Sequence, residues 1–407
     1  MKLMNEKVES LNQFYRLMYE TREIRKKIVK RVLNAHGIDR GAVAALERAR
    51  RILEEIPQHD GKRILLYGNE SSLSLNLSYE IDELVKDIFY LTHPEKEFFQ
   101  YLEGIHEGFR EQITECQEMI PEAKIRNFIA DRDGTLNNYC GRYRSSIQSV
   151  YNSVFLSRFA QSCTENAVIL TSAPLRVGGL LDVSIDPEGI FSYAGSKGRE
   201  YQDRRGRSGS LPLEKEQQKK LEELNTRLSD LVKDKDYEIF SLIGSGLQFK
   251  FGQTTIARQD IYGSIQEETS EAFARHIHRI IAEIDPEGRY FRTEDTGKDI
   301  EILLTVRQGH SLDALKDFDK GNGIEFLDRE LGLELERGPN LICGDTRSDV
   351  SMVSSAVRKS QNKTRALFVS RDESVRDEVR RVCRKYCFLY EPDTLVCLLN
   401  TLWERTN

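Results

Sequence analysis

An apolar run, Phe128-Ile129-Ala130, empties into Asp131-Arg132-Asp133-Gly134-Thr135-Leu136. The run is too short to be a helix, and the pattern predicts a buried strand that delivers two aspartates to its own C-terminal end. In an open parallel sheet, ligands bind in the crevice outside the strand ends, so the placement suits chemistry. Two carboxylates this close repel unless a cation sits between them or one is protonated, and either condition serves phosphoryl transfer. The bland alternative is an acidic strand-to-turn junction, and the rest of the chain has to distinguish the two.

Composition narrows the classes. At 407 residues the chain has room for two or three domains, each with its own core. A net charge of -6 over this length gives no bulk attraction to nucleic acid or to an anionic membrane. Arg204-Arg205-Gly206-Arg207 is a local basic cluster in a Gly/Ser-rich stretch and reads as a solvated loop. No apolar run reaches membrane-spanning length, and the first residues lack a signal-peptide pattern, so a soluble, cytoplasmic protein is expected. Seven scattered cysteines read as reduced, mostly buried thiols. Neither Cys383 with Cys387 nor His276 with His278 has the spacing and partners of a metal site.

The texture of the chain divides it in three. Residues 1–122 carry helical periodicity, as in Phe14, Leu17, Ile24, Ile28 and Val32, then Ala42, Leu46, Ala49 and Leu53. Arg63 to Gly68 fits either a strand or a helix start. No motif here carries chemistry, and docking to a partner or oligomerisation is the expected role. From Ile125 strands alternate with helices, the signature of a Rossmann-like α/β parallel sheet covered on both faces. That alternation, over 123–176 and 308–407, is interrupted by 177–307. There, short strands (Leu180 to Ile185, Gly189 to Tyr193, Gln248 to Gly252, Thr254 to Arg258, Ile300 to Val306) surround two helices, which suits an inserted α+β cap domain.

Four pieces fall at strand ends or helix starts of the core. Asp131 and Asp133 follow the first strand, and Ser172 follows the second, with Thr171 adjacent as an alternative hydroxyl. Lys320 opens the helix after the insert, where an ammonium joins a helix N-terminus as an anion site. Gly344-Asp345-Thr346-Arg347-Ser348-Asp349 follows the strand Leu341-Ile342-Cys343 and adds two acids at the same edge. The carboxylates of Asp131 and Asp345 are hard oxygen ligands suited to Mg²⁺, which would let an anionic nucleophile approach an anionic phosphate.

With these motifs, Ile125 to Asn407 resembles the haloacid dehalogenase-like (HAD) phosphohydrolases. The resemblance implies that Asp131 is a nucleophile forming an aspartyl-phosphate. It implies that Asp133 protonates the leaving oxygen and then activates water, its backbone carbonyl joining the metal. Ser172 and Lys320 become phosphate-binding residues, Asp345 a metal ligand, and Asp349 a metal-site or lysine-orienting acid. The second aspartate points to a phosphatase rather than a dehalogenase. Arg132 is unusual, because that position is more often apolar or aromatic.

The position of the insert resembles the subclass with a large α/β cap that acts on sugar phosphates. Ala194-Gly195-Ser196-Lys197-Gly198-Arg199-Glu200 is similar to the Gly-x-His-Gly-x-Glu segment of trehalose-6-phosphate phosphatases, with Lys197 in place of the histidine. Gly246-Leu247-Gln248-Phe249-Lys250 and Ile256-Ala257-Arg258 resemble the same family's Glu-x-Lys and His-Tyr-Arg elements, with Gln248 and Ile256 as departures. The expectation is a Mg²⁺-dependent phosphatase of trehalose 6-phosphate, with Lys197, Glu200, Lys250 and Arg258 contacting substrate. Alternatives are another glycosyl phosphate, of the sucrose-phosphate or mannosyl- or glucosyl-phosphoglycerate type, and a catalytically silent sugar-phosphate-binding regulatory subunit.

Overall fold

The computed structural model describes residues 7–67, 71–120, 123–305 and 318–406. Its centre is an eight-stranded sheet in the order Tyr386–Leu389, Thr364–Val369, Asn340–Gly344, Ile125–Ala130, Thr164–Leu170, Ser192–Gly195, Glu200–Gln202, Ser208–Ser210. The first six strands run parallel and the last two antiparallel. Successive side chains on a strand point to opposite faces. Accordingly, Phe128, Ala130, Ala167, Ile169, Leu341 and Cys343 join one hydrophobic cluster, and Ile129, Val168, Leu170, Ile342, Ala366 and Phe368 join a second. The helices Val150–Cys163 and Pro392–Thr406 cover the first face, with Phe159 edge-on to Phe128 at 5.2 Å between ring centroids. The helices Lys320–Leu331, Arg347–Ser360 and Glu373–Val382 cover the second. A sheet buried on both faces explains why the central strands read as unbroken apolar runs rather than alternating ones.

A separate four-stranded antiparallel sheet, in the order Phe291–Asp295, Asp299–Leu304, Gln253–Ala257, Leu247–Lys250, packs with the helices Lys215–Leu231 and Glu267–Ile284 to form the cap. The central sheet extends through Ser208–Ser210, inside the 177–307 stretch expected as cap, so the change of sheet comes after Ser210 rather than at 177. The expected strand from Leu180 to Ile185 is instead a one-turn helix, Leu180–Val183, behind a glycine pair. The strand Phe291–Asp295 was not anticipated, because only its first residue is buried and the rest are polar. Val306 and the 307/308 and 122 boundaries lie outside the described residues.

The N-terminal part contains the helices Leu11–Leu33, Arg40–Glu55, Ser78–Thr92, Glu95–Ile105 and Phe109–Met119. Ser10 and Gln13 form a reciprocal capping box at the start of the first. The open choice over residues 63–68 resolves to a strand, Lys62–Tyr67, paired antiparallel with Ser71–Leu75; Gly68 lies outside the described residues. The apolar faces of these helices belong to the same hydrophobic cluster as Phe128 and Phe159. Helix Ser78–Thr92 brings a row of buried charges to that junction: Glu80, Glu83, Lys86 and Asp87. Each is partnered: Asp87 with Arg25 at 2.5 Å, Glu80 with Arg142 at 2.8 Å, and Lys86 with both Glu83 at 2.5 Å and Asp393 at 3.0 Å.

Cys116 and Cys387 form a disulfide, with Cα atoms 5.4 Å apart, between the helix Phe109–Met119 and the strand Tyr386–Leu389. This corrects the expectation that all seven cysteines are reduced; the other five are free and buried. Among the described residues, no helix is long and apolar enough to cross a membrane.

Candidate active site

The strand Ile125–Ala130 ends with the Asp131 backbone N–H donating to the carbonyl of Cys343 on the neighbouring strand at 3.0 Å, which sets the two acidic motifs side by side. Gly134 then turns the chain at φ +88, and a Cβ there would collide with the Asp345 carboxylate. Only glycine gives both the backbone conformation and the approach. Thr135 Oγ1 donates to Asp345 Oδ1 at 2.9 Å and fixes that side chain.

Lys320, the first residue of its helix, donates from Nζ to Asp131 Oδ1 and to Asp349 Oδ1, each at 2.5 Å. All three are buried. Asp349 Oδ2 accepts from the backbone N–H of Thr346 at 2.9 Å, from its hydroxyl at 2.8 Å and from the Asp345 N–H at 3.2 Å. Both Asp349 oxygens are therefore engaged, and the residue serves to orient Lys320 and cap its own helix. Ligand atoms of Asp131, Asp345 and Asp349 lie within 4.8 Å of one another.

Three carboxylates face one ammonium, and the electrostatics register the excess. Burial pushes Asp131 up to about 7 against the pull of Lys320, with Asp349 adding to the rise. Burial, then Asp131 and Asp349, push Asp345 up to about 9. Against its own burial, Lys320 and the Thr346 donors hold Asp349 below the usual carboxylate range. A carboxyl this reluctant to ionise beside two others is a group that a hard cation would satisfy.

These residues sit on one side of a cavity of about 280 Å³ whose other wall is the cap. Asp131, Asp133, Thr171, Ser172, Lys320 and Asp345 line it from the core, and Gln248 and Lys250 from the cap. Thr171 Oγ1 already accepts from the Ala173 N–H at 3.2 Å. Burial lowers the Lys250 ammonium, with the carboxylates of Glu301 and Asp299 opposing the shift. Tyr139, Arg142, Ser245, Gln259, Lys298 and Asp299 also line the cavity and went unnoticed in the sequence. Asp299 opens a cap strand and the others lie in loops and turns, none of them in a motif, and only the closure of cap on core assembles them.

Two cap expectations need correcting. Arg258 donates to Ser270 Oγ at 2.9 Å, Asp295 Oδ2 at 2.5 Å and Glu267 Oε1 at 3.0 Å, tying cap elements together away from the cavity lining. Glu200 accepts from Ser196 Oγ at 2.6 Å and from the Leu175 N–H at 3.0 Å, which holds a turn of the core sheet. Lys197 occupies that turn at φ +62, its N–H donating to the Thr171 carbonyl at 2.8 Å; it is not among the cavity-lining residues, yet its charge helps to lower Lys250. Ile256 is fully buried in the cap core.

Asp133 is held by two neighbours: the Arg132 guanidinium forms an ion pair with it, and Ser146 Oγ donates to its Oδ1 at 3.1 Å. Arg132 is itself buried, and donates to Ser146 Oγ at 3.0 Å. The unusual residue between the aspartates is thus buried and outside the cavity lining, and it clasps Asp133.

Comparison with known proteins places these observations in a family. A profile described as "Trehalose-6-phosphate phosphatase, C-terminal" matches residues 128–395, and one described as "Trehalose-6-phosphate phosphatase N-terminal helical bundle domain" matches residues 10–108. The UDP-forming alpha,alpha-trehalose-phosphate synthase 2 of Aphelenchoides avenae is 31% identical over 399 residues, covering 93% of this chain and 30% of that protein. The trehalose-phosphatase of Brugia malayi is 29% identical over 430 residues, covering 96% of this chain and 85% of the relative. Among solved structures, the C-terminal domain of the C. albicans trehalose-6-phosphate phosphatase covers 72% of this chain and 96% of its own, at 14% identity and a TM-score of 0.45. The chain thus spans about a third of the length of the synthases it matches and most of the length of the phosphatase.

Proposed function

This chain belongs to the trehalose-6-phosphate phosphatase family, and on that premise we propose that it hydrolyses the phosphate monoester of trehalose 6-phosphate to trehalose and inorganic phosphate. The observation that carries the reading is the Lys320 ammonium bridging Asp131 and Asp349 at the strand edge, with Asp345 alongside. Asp131 is the nucleophile. Its carboxylate oxygen bonds to phosphorus as the bond from phosphorus to the sugar oxygen breaks, and a proton from Asp133 goes to the departing oxygen. A water then attacks the phosphorus of the aspartyl-phosphate and gives its proton to Asp133. The bond to Asp131 breaks and phosphate leaves.

Ser172 and Lys320 bind the phosphoryl oxygens, with Thr171 as the alternative hydroxyl, since its Oγ1 accepts from the Ala173 N–H and keeps its own hydrogen to donate. Lys250 and Gln248 recognise the sugar phosphate from the cap, with Lys197 adding positive charge nearby. The donor set fits Mg²⁺: Asp131, Asp345 and the carbonyl of Asp133 would hold it, with Asp349 supporting the site through Lys320. When bound, the ion supplies positive charge that offsets repulsion between carboxylate and phosphate.

The test is phosphate release from a panel of sugar phosphates with Mg²⁺ and with EDTA, beside Asp131→Asn. Turnover that needs the metal and disappears in Asp131→Asn is expected. No turnover of any member of the panel, or full activity in Asp131→Asn, sinks the reading.

A further inference from the structure

The N-terminal helix Ser78–Thr92 reaches the catalytic centre through the loop that follows the first core strand. Asn137 Nδ2 donates to the Tyr79 hydroxyl at 2.8 Å and to Ser146 Oγ at 3.2 Å, and Ser146 Oγ donates to Asp133 Oδ1. Tyr79 in turn donates to the Ile147 carbonyl at 3.4 Å. The same helix grips the loop at two more points. Glu80 accepts from Arg142 Nη2 at 2.8 and 2.9 Å and from Ser145 Oγ at 2.6 Å, and Glu83 accepts from Asn138 Nδ2 at 2.9 Å. Glu80 and Glu83 are buried, so these bonds lie in a low-dielectric environment where they hold geometry firmly.

We propose that the N-terminal domain is a working part of the catalytic centre, in which Tyr79, acting through Asn137 and Ser146, positions the Asp133 carboxyl for proton transfer to the leaving oxygen. The proposal rests on the phosphatase reading above. Asp133 follows directly on the strand and carries a short side chain with two free torsions. Arg132 and Ser146 fix one of its oxygens, and Ser146 is itself fixed by Asn137 and Arg132. Removing the Tyr79 hydroxyl takes away the acceptor that orients the Asn137 amide, and the disturbance passes to Ser146 and then to Asp133. Tyr79 and Ser146 are positioning residues, since neither touches the reacting atoms.

A general acid matters most when the departing oxygen is a poor leaving group. An aryl phosphate such as 4-nitrophenyl phosphate expels a stabilised anion without help, whereas a sugar alkoxide needs the proton. The value of kcat/KM reports steps up to phosphoryl transfer, which separates acid assistance from the later attack of water. The experiment compares kcat/KM of the full chain for its sugar phosphate and for 4-nitrophenyl phosphate in Tyr79→Phe, Ser146→Ala and Asp133→Asn, with melting temperatures recorded. Tyr79→Phe and Ser146→Ala are expected to lose about tenfold or more on the sugar phosphate, because small misplacements of a catalytic group are costly. The aryl phosphate should change far less, and Asp133→Asn should show the same selectivity more strongly.

Equal losses on both substrates in Tyr79→Phe and Ser146→Ala would overturn the proposal, as would no loss on either while Asp133→Asn remains selective. In both cases the phosphatase reading stands. If Asp133→Asn shows no preference between leaving groups, the reading of Asp133 fails and this proposal falls with it.

Discussion

Lys320 reaches Asp131 across 189 positions of sequence to place its ammonium 2.5 Å from the carboxylate that follows the first core strand. It is the only cation directly bonded to Asp131 among the described residues, and with Asp349 it fixes where an incoming phosphate would meet positive charge. Lys320→Ala is therefore expected to lower kcat/KM by at least about a hundredfold, the range seen when a preorganised charge is removed from an active site. Steady-state kinetics check it, and near-normal activity would refute the role.

Asp345 supplies an independent test of the metal site. In the wild type, Mg²⁺ at a hundredfold excess over its Kd should stabilise the protein by about 2.7 kcal/mol, visible as a rise in Tm. Asp345→Asn should abolish that rise without turnover having to be measured. An equal rise in the variant would place the ion elsewhere.

Gly134→Ala is expected to be costly out of proportion to its size. The φ of +88 strains any L side chain, by about 1–3 kcal/mol. The new methyl would also displace the Asp345 carboxylate. Urea denaturation should show the stability loss, and activity should fall with it.

Lys250 and Arg258 should part company. Lys250→Ala removes a cation from the cavity and should lower kcat/KM for the sugar phosphate by about ten- to a hundredfold, as for a charged hydrogen bond. Arg258→Ala breaks ion pairs within the cap, whose partners are partly exposed, and should cost about 1 kcal/mol of stability with KM little changed. A large KM effect in Arg258→Ala would restore it to the substrate site.

Asp393 sets a pH limit on stability. Despite its burial, its carboxyl is held far below the usual range by the Lys86 ammonium, by His106 at 2.8 Å and by the Tyr151 hydroxyl at 2.6 Å. A depressed folded-state pKa stabilises above the unfolded value, about 4, and that stability is lost as pH falls below it. Asp393→Asn, which breaks a buried pair, should cost about 3–5 kcal/mol at pH 7. The gap between variant and wild type should narrow as the pH falls from 5 to 3 in chemical denaturation. A gap independent of pH would show that the loss is one of packing.

The candidate site's edge was legible in the sequence because its residues stand at strand ends and helix starts, where apolar periodicity stops. Asp131, Asp133, Ser172, Lys320 and Asp345 were all recognisable in this way, and the structure brings them to one cavity. Glu200 and Arg258 misled because a motif match fixes a residue's place in the chain and not the direction of its side chain. Tyr79, Glu80, Glu83 and Lys86 escaped for the opposite reason. Polar residues on a surface helix normally face water, and nothing local marks the few that a second domain will cover. The disulfide is similar: Cys116 and Cys387 are 271 residues apart, and no spacing rule connects them.

The N-terminal helices and the central sheet share one hydrophobic cluster, and the last helix meets Lys86 through Asp393. A cut between residues 120 and 123, natural as it looks on a linear map, therefore passes through the inside of a folding unit. The C-terminal half expressed alone would carry a bare apolar flank and an Asp393 stripped of its Lys86 and His106 partners. The two segments are expected to melt in a single transition, and to be viable only as an inherited pair.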